Sequence, residues 1–178
     1  SVGNKPKLPP IPGIDQDNVY SPVKVLLGEE TLPAGRVVIV GGGLVGCELA
    51  LYLTEEMGYT DVTVVEGMSD VMNGGYEPMS LPNKLMMIDL MKFHGVKVMT
   101  NTMLDHIDGN QVYVRQGGIV STLEADSVVL SLGSQANEDL FTEINETIPK
   151  KVWLLGDAKM PSNIMFGIRD ANAVAREI

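Results

Sequence analysis

The chain has 178 residues, with 23 acidic side chains against 13 basic ones and a formal net charge of −10. Apolar residues at 44% and charged residues at 20% are globular proportions. The acidic surplus excludes nucleic acid and an anionic membrane surface as partners, since both demand clustered Lys and Arg. Cys47 stands alone, so an internal disulfide, a CxxC redox pair and a cysteine-ligated metal or iron–sulfur site are excluded within the chain. With no signal peptide and no apolar run of membrane-spanning length, a reducing, cytoplasmic setting is expected.

Six of the ten prolines (Pro6, Pro9, Pro10, Pro12, Pro22 and Pro33) fall within the first 33 residues. A stretch so poor in backbone donors cannot be a central strand or a helix interior, so residues 1–34 read as extended linker or edge structure. The chain opens on Ser1, and no strand–glycine–helix unit precedes this stretch, which reads as a cut through a larger protein. Residues 36–40 (RVVIV) are then a β-branched run ended by three glycines, as expected of a buried parallel strand. From Leu44, apolar residues at Cys47, Ala50, Leu53 and Met57 keep helical spacing, and Gly58 closes the helix. Residues 61–65 (DVTVV) form the next strand and complete a βαβ unit. After a Gly- and Met-rich loop over 67–79, Ser80 is placed to cap a helix that has Pro82 in its first turn and ends at Gly95. Residues 96–99 follow as a third strand. Short β-like pieces at 104–107, 112–114 and 119–123 form an antiparallel meander. Residues 127–131 (SVVLS) return as a buried strand and 152–155 (VWLL) as another, turned by Gly156 and Asp157. A helix capped by Ser162 occupies 163–178.

The motif with chemical content is Gly41-Gly42-Gly43-Leu44-Val45-Gly46, which has the G-x-G-x-x-G spacing between a strand and a helix. Gly41 permits the tight turn, Gly43 lets a pyrophosphate approach the backbone, and Gly46 lets helix and strand pack closely. The helix N-terminus offers free N–H groups and the positive end of its dipole to the phosphates. Glu66 ends the neighbouring strand, where a carboxylate accepts hydrogen bonds from the adenosine ribose and repels a 2′-phosphate. No Lys or Arg lies between Glu66 and Lys84, so NADH is preferred over NADPH. The alternative is a ligand-free glycine turn with Glu66 as a solvated strand-end acid. No P-loop occurs. Neither His94 nor His106 is assigned a catalytic or metal role, and Cys47 reads as a small buried side chain.

The runs VVIVGGGLVGCELALYL and VWLLGDA, the acid Glu66 and the segment ADSVVLSLGSQAN together resemble the C-terminal region of flavin oxidoreductases. The likeness is to NADH:flavin oxidoreductases of the 2,4-dienoyl-CoA reductase and 2-enoate reductase type, whose FAD and NAD(P) region is similar to that of the pyridine nucleotide-disulfide oxidoreductases. It implies an FMN barrel and an iron–sulfur cluster elsewhere in the parent polypeptide. By the same resemblance, Glu48 corresponds to an acid near the nicotinamide, though it reads equally as a first-turn carboxylate complementing the helix dipole. Gly133 corresponds to a glycine where the backbone passes close to the cofactor, and Gly156 and Asp157 to the second FAD motif, in which the Asp bonds the ribityl chain. Ala136 departs from the family's usual Pro.

The fold expected is therefore α/β. A Rossmann-like parallel sheet carries helices on one face and a small antiparallel β-meander on the other, with fragments of an FAD domain attached. Residues 1–34 would be an FAD-domain exit segment, 35–137 the NAD-binding domain and 138–178 part of an incomplete FAD domain. The last would leave an apolar face around Trp153, Ile164, Phe166 and Ile168, to be relieved by homodimer formation or disorder. The function expected is delivery of hydride from NADH to FAD, for reduction of an activated alkene in the missing barrel. The chain alone is expected to be inactive, to bind NAD, and to bind FAD poorly or not at all, with no side chain of its own acting as acid or base. Two alternatives stand beside it: the NAD domain of an NADH oxidase or ferredoxin reductase-type flavoprotein, and a non-catalytic NAD-sensing module.

Overall fold

A computed structural model describes residues 2–73 and 79–177. The chain divides into two compact units, Leu8–Leu132 and a smaller one made of Ser1–Lys7 with Gly133–Ile178. The first strand, β1 (Lys5–Pro6), belongs to the smaller unit. The larger unit runs β2 (Val19–Tyr20), α1 (Pro22–Leu26), β3 (Val37–Val40), α2 (Leu44–Glu55), β4 (Val62–Val65), α3 (Leu81–Phe93) and β5 (Lys97–Met99). It continues with β6 (Thr102–Asp108), β7 (Gln111–Gln116), β8 (Ile119–Glu124) and β9 (Ser127–Leu130). Its main sheet has the order β2-β9-β3-β4-β5, with every neighbouring pair parallel. β6, β7 and β8 form the antiparallel meander.

The period of two along each strand sorts the core into two layers. Val37, Ile39, Val62, Val64 and Val129 pack with Cys47, Leu49, Ala50 and Leu53 of α2 and with Met87 and Met91 of α3. Val38, Val40, Val65, Val128 and Leu130 face the other way, onto Leu104, Ile107, Val112 and Val114 of the meander. The expected arrangement of helices on one face and meander on the other is thus present. Both faces of β3 are buried, which explains why its four residues carry no polar side chain.

The proline-rich start holds the edge structure expected of it and, beyond that, a short helix. β2 is an edge strand beside β9, and Pro22 sits in the first turn of α1, where its missing N–H costs nothing. Ile11, Ile14 and Val19 pack on the meander-side core, and Pro12 accepts the Ile107 N–H at 3.0 Å. Pro82 likewise opens α3, although Ser80 makes no side-chain cap. Its backbone carbonyl accepts the Lys84 N–H instead.

In the smaller unit β1 pairs antiparallel with β10 (Ser134–Gln135). Helices α4 (Asp139–Thr147) and α5 (Ile164–Ala175) follow. The sequence reading missed α4, whose apolar residues Leu140, Phe141 and Ile144 keep helical spacing. The strand expected over residues 152–155 pairs with no neighbour among the described residues, because an apolar run needs a partner to become a ladder. Gly156–Ala158 is a single 3-10 turn. The cap of α5 is Asn163, one residue later than expected, with its side chain accepting from the Phe166 N–H. Ser162 Oγ is instead buried without a hydrogen-bond partner among the described residues. Of the apolar face foreseen around Trp153, Ile164, Phe166 and Ile168, Ile164 (83%) and Ile168 (56%) are exposed, while Trp153 and Phe166 are half-buried. Among the described residues no helix is long and apolar enough to cross a membrane.

Candidate functional site

β3 delivers the chain to the glycine turn and α2 carries it away, with Gly43 as the N-cap of α2. The three motif glycines are distinguished by what a Cβ would meet. Gly41 has φ +106, and a Cβ there would lie 2.1 Å from the Ser131 carbonyl oxygen. At Gly46 it would lie 2.0 Å from the Gly41 carbonyl oxygen, so this glycine sets the closeness of helix and turn. At Gly43 it would meet nothing within 4 Å. The turn is therefore packed on the protein side at Gly41 and Gly46 and open at Gly43, at the positive end of the α2 dipole. Leu44 and Val45, each 42% exposed, flank that opening.

Glu66 is held at the same place. One of its carboxylate oxygens accepts the Gly42 N–H and the other the Met68 N–H, both at 2.7 Å. Each oxygen keeps a further lone pair for a hydroxyl donor. The opposite side of the turn is secured by the Met72 N–H, which donates to the Gly42 carbonyl at 2.7 Å. Val71 is buried against Gly42. Sequence reasoning missed this backing, for which the Val71-Met72 pair inside the Gly- and Met-rich loop was a signal. Residues 74–78 of that loop, Glu77 included, lie outside the described residues.

Cys47 is fully buried, and its Sγ donates to the Gly42 carbonyl at 3.4 Å. Burial, reinforced by the carboxylates of Glu66 and Glu48, pushes its thiol up to about 12. It is a packing residue with no nucleophilic character at neutral pH. Glu48 is exposed but stands past the first turn of α2, which carries no acid, so it is not the first-turn carboxylate that the sequence suggested. The next cation after Glu66, Lys84, is already engaged by Asp70 and Asn73, at 2.7 Å each.

Gly133, Gly156 and Asp157 belong to the smaller unit. The Gly133 carbonyl accepts the Lys7 N–H at 2.9 Å. The Gly156 N–H donates to Asp170 at 3.3 Å. Asp157 accepts from the Asn4 amide at 2.9 Å and from the Ser162 N–H at 3.0 Å, which ties the 3-10 turn to the start of α5. A broad groove of about 850 Å³ runs here, walled by Leu155, Asp157, Ser162, Ile164 and Ile168 among others.

A parallel sheet with a glycine turn between strand and helix, and an acid at the tip of the next strand, defines the Rossmann-like class of α/β protein. Residues 1–167 match the family model described as pyridine nucleotide-disulphide oxidoreductase, and the chain belongs to that family. Cinnamate reductase of Clostridium sporogenes is 35% identical over 178 residues, covering 100% of this chain and 26% of the relative. NADH oxidase of Enterococcus faecalis is 28% identical over 174 residues, covering 92% of this chain and 37% of the relative. The solved complex of 2-naphthoyl-CoA reductase with 2-naphthoyl-CoA matches with a TM-score of 0.86 at 28% identity, over 100% of this chain and 26% of that one. The resemblance read from the motifs is thereby borne out. The chain spans well under half the length of these relatives.

Proposed function

We propose that this chain is the NADH-binding region of a longer flavin-dependent oxidoreductase, and that its smaller unit contributes to an FAD site. The observation that carries the reading is the unfilled space at Gly43, set between the α2 N-terminus and the Glu66 carboxylate. Its chemistry fits a diphosphate flanked by a ribose. The fit to FAD rests on Ser162 Oγ, a buried hydroxyl without a partner among the described residues, beside Asp157 in the groove wall. When bound, the nicotinamide supplies a hydride and the flavin accepts it, for onward reduction of an activated alkene such as an enoate or dienoyl thioester. The chain's own part is to bind and orient. The amides at the start of α2 hold the diphosphate, Glu66 grips the adenosine ribose, and Asp157 holds the ribityl chain.

Glu66 also sets the preference for NADH, because a 2′-phosphate would meet its charge while Lys84 is occupied by Asp70 and Asn73. Calorimetric titration of the chain should show NADH binding at least about tenfold tighter than NADPH, a difference of about 1.4 kcal/mol, with FAD weak. Equal affinities would remove Glu66 from this role, and no NADH binding would overturn the reading. The likeness to an NADH oxidase favours a second reading, an oxidase-type parent without a barrel. Sequence upstream of Ser1 encoding a barrel with a cysteine cluster would decide against it.

A further inference from the structure

Lys84 stands where helix electrostatics oppose it. It lies in the first turn of α3, at the positive end of the dipole, and its side chain is only 12% exposed. What holds it is the loop that follows β4. Its ammonium donates to Asp70 and to Asn73, and the same Asp70 side chain accepts the Val71 N–H at 2.9 Å. The segment fastened in this way ends in an unfavourable conformation, since Met72 has φ +54 without being glycine and is nearly fully buried.

Met72 is held in that conformation against the glycine turn, where its N–H donates to the Gly42 carbonyl at 2.7 Å. The peptide joining Gly42 to Gly43 is trans and planar, so fixing its carbonyl also fixes the N–H on its other side. With the carbonyl aimed at Met72, the Gly43 N–H is aimed away from the 70–73 segment.

We propose that the Asp70–Lys84–Asn73 cluster is a positioning device for dinucleotide binding: it holds Met72, Met72 orients the Gly42–Gly43 peptide, and the Gly43 N–H is thereby presented to the diphosphate. Lys84 acts through its neighbours and does not touch the ligand. The inference rests on the NADH reading for the identity of the ligand, and adds to it a control point outside the glycine motif.

The test uses the full chain and two variants, Lys84→Met and Asp70→Asn. The second alters a half-exposed carboxylate and spares the core. NADH affinity is measured by calorimetry, and amide hydrogen exchange at Met72 and at the core residue Ile39 by NMR on the ligand-free protein. Both variants should weaken NADH binding by about fivefold to tenfold and speed exchange at Met72 while leaving Ile39 unchanged. Unchanged NADH affinity in both folded variants, or unchanged Met72 exchange, overturns the proposal. An unsubstituted chain that takes up no NADH overturns the cofactor reading instead. The two failures are distinct, because the exchange measurement needs no ligand.

Discussion

Alanine at Gly43 and alanine at Gly46 should separate ligand binding from folding. A methyl at Gly46 would sit 2.0 Å from the Gly41 carbonyl oxygen and 3.2 Å from its carbon, both backbone atoms of the glycine turn. Relief requires α2 to withdraw by about 1 Å from a close-packed sheet, which costs about 3 kcal/mol or more. For a chain of this size that lowers Tm by roughly 6–12 °C. At Gly43 the backbone is extended (φ −67, ψ −177), open to any residue, and the methyl meets nothing within 4 Å. Alanine is a poorer N-cap than glycine, but it also restricts the unfolded chain. The two effects are of similar size, so stability should change by no more than about 1 kcal/mol. The added methyl does, however, occupy the approach to the backbone that a diphosphate needs. Differential scanning calorimetry with NADH titration followed by nicotinamide fluorescence should show Gly43→Ala folded but at least about tenfold weaker in binding. Gly46→Ala should be strongly destabilised. A Gly43→Ala variant that binds NADH like the parent, or that unfolds as readily as Gly46→Ala, would refute the reasoning.

Two further outcomes concern titration and reactivity. Asp126 accepts hydrogen bonds from the Arg36 guanidinium and backbone N–H, which hold its carboxyl at about 2 against an ordinary 3.8. A lowered folded-state value stabilises the protein above the ordinary one, and this contribution is lost as the pH falls from about 3.8 towards about 2. Thermal melts of Asp126→Asn should therefore show a shallower loss of Tm across that window than the parent, and matching profiles would count against the pair. Cys47, its thiol raised to about 12 by burial, should resist iodoacetamide at pH 8 in the native chain and react readily once denatured. Rapid labelling of folded protein would show α2 to be looser than the packing implies.

The glycine motif was legible because each of its demands is local. A β-branched run such as VVIV can only be a strand buried on both faces, and G-x-G-x-x-G marks where backbone rather than side chain must be approached. Glu66 was legible for the same reason, standing at a fixed distance beyond Gly46. The short helix α1 was hidden by prolines that stop only helix interiors. The apolar run at 152–155 looked like a strand because composition reports burial and says nothing of a pairing partner. Ser162 and Asn163 are both good caps, and only the backbone's course shows which one begins the helix.

By itself the sequence determined the βαβ unit, the alternation that divides the core into helix-facing and meander-facing layers, and the family. The first two follow from the spacing of residues along the chain, and the family from the resemblance that its motifs carry. The tertiary structure alone decided that Glu66 and Met72 grip Gly42 from two sides and that Lys84 is tied to Asp70 and Asn73. These are contacts between segments distant along the chain. Packing α2 and α3 on one side of the sheet sets their partners, and no periodicity in the sequence encodes that distance.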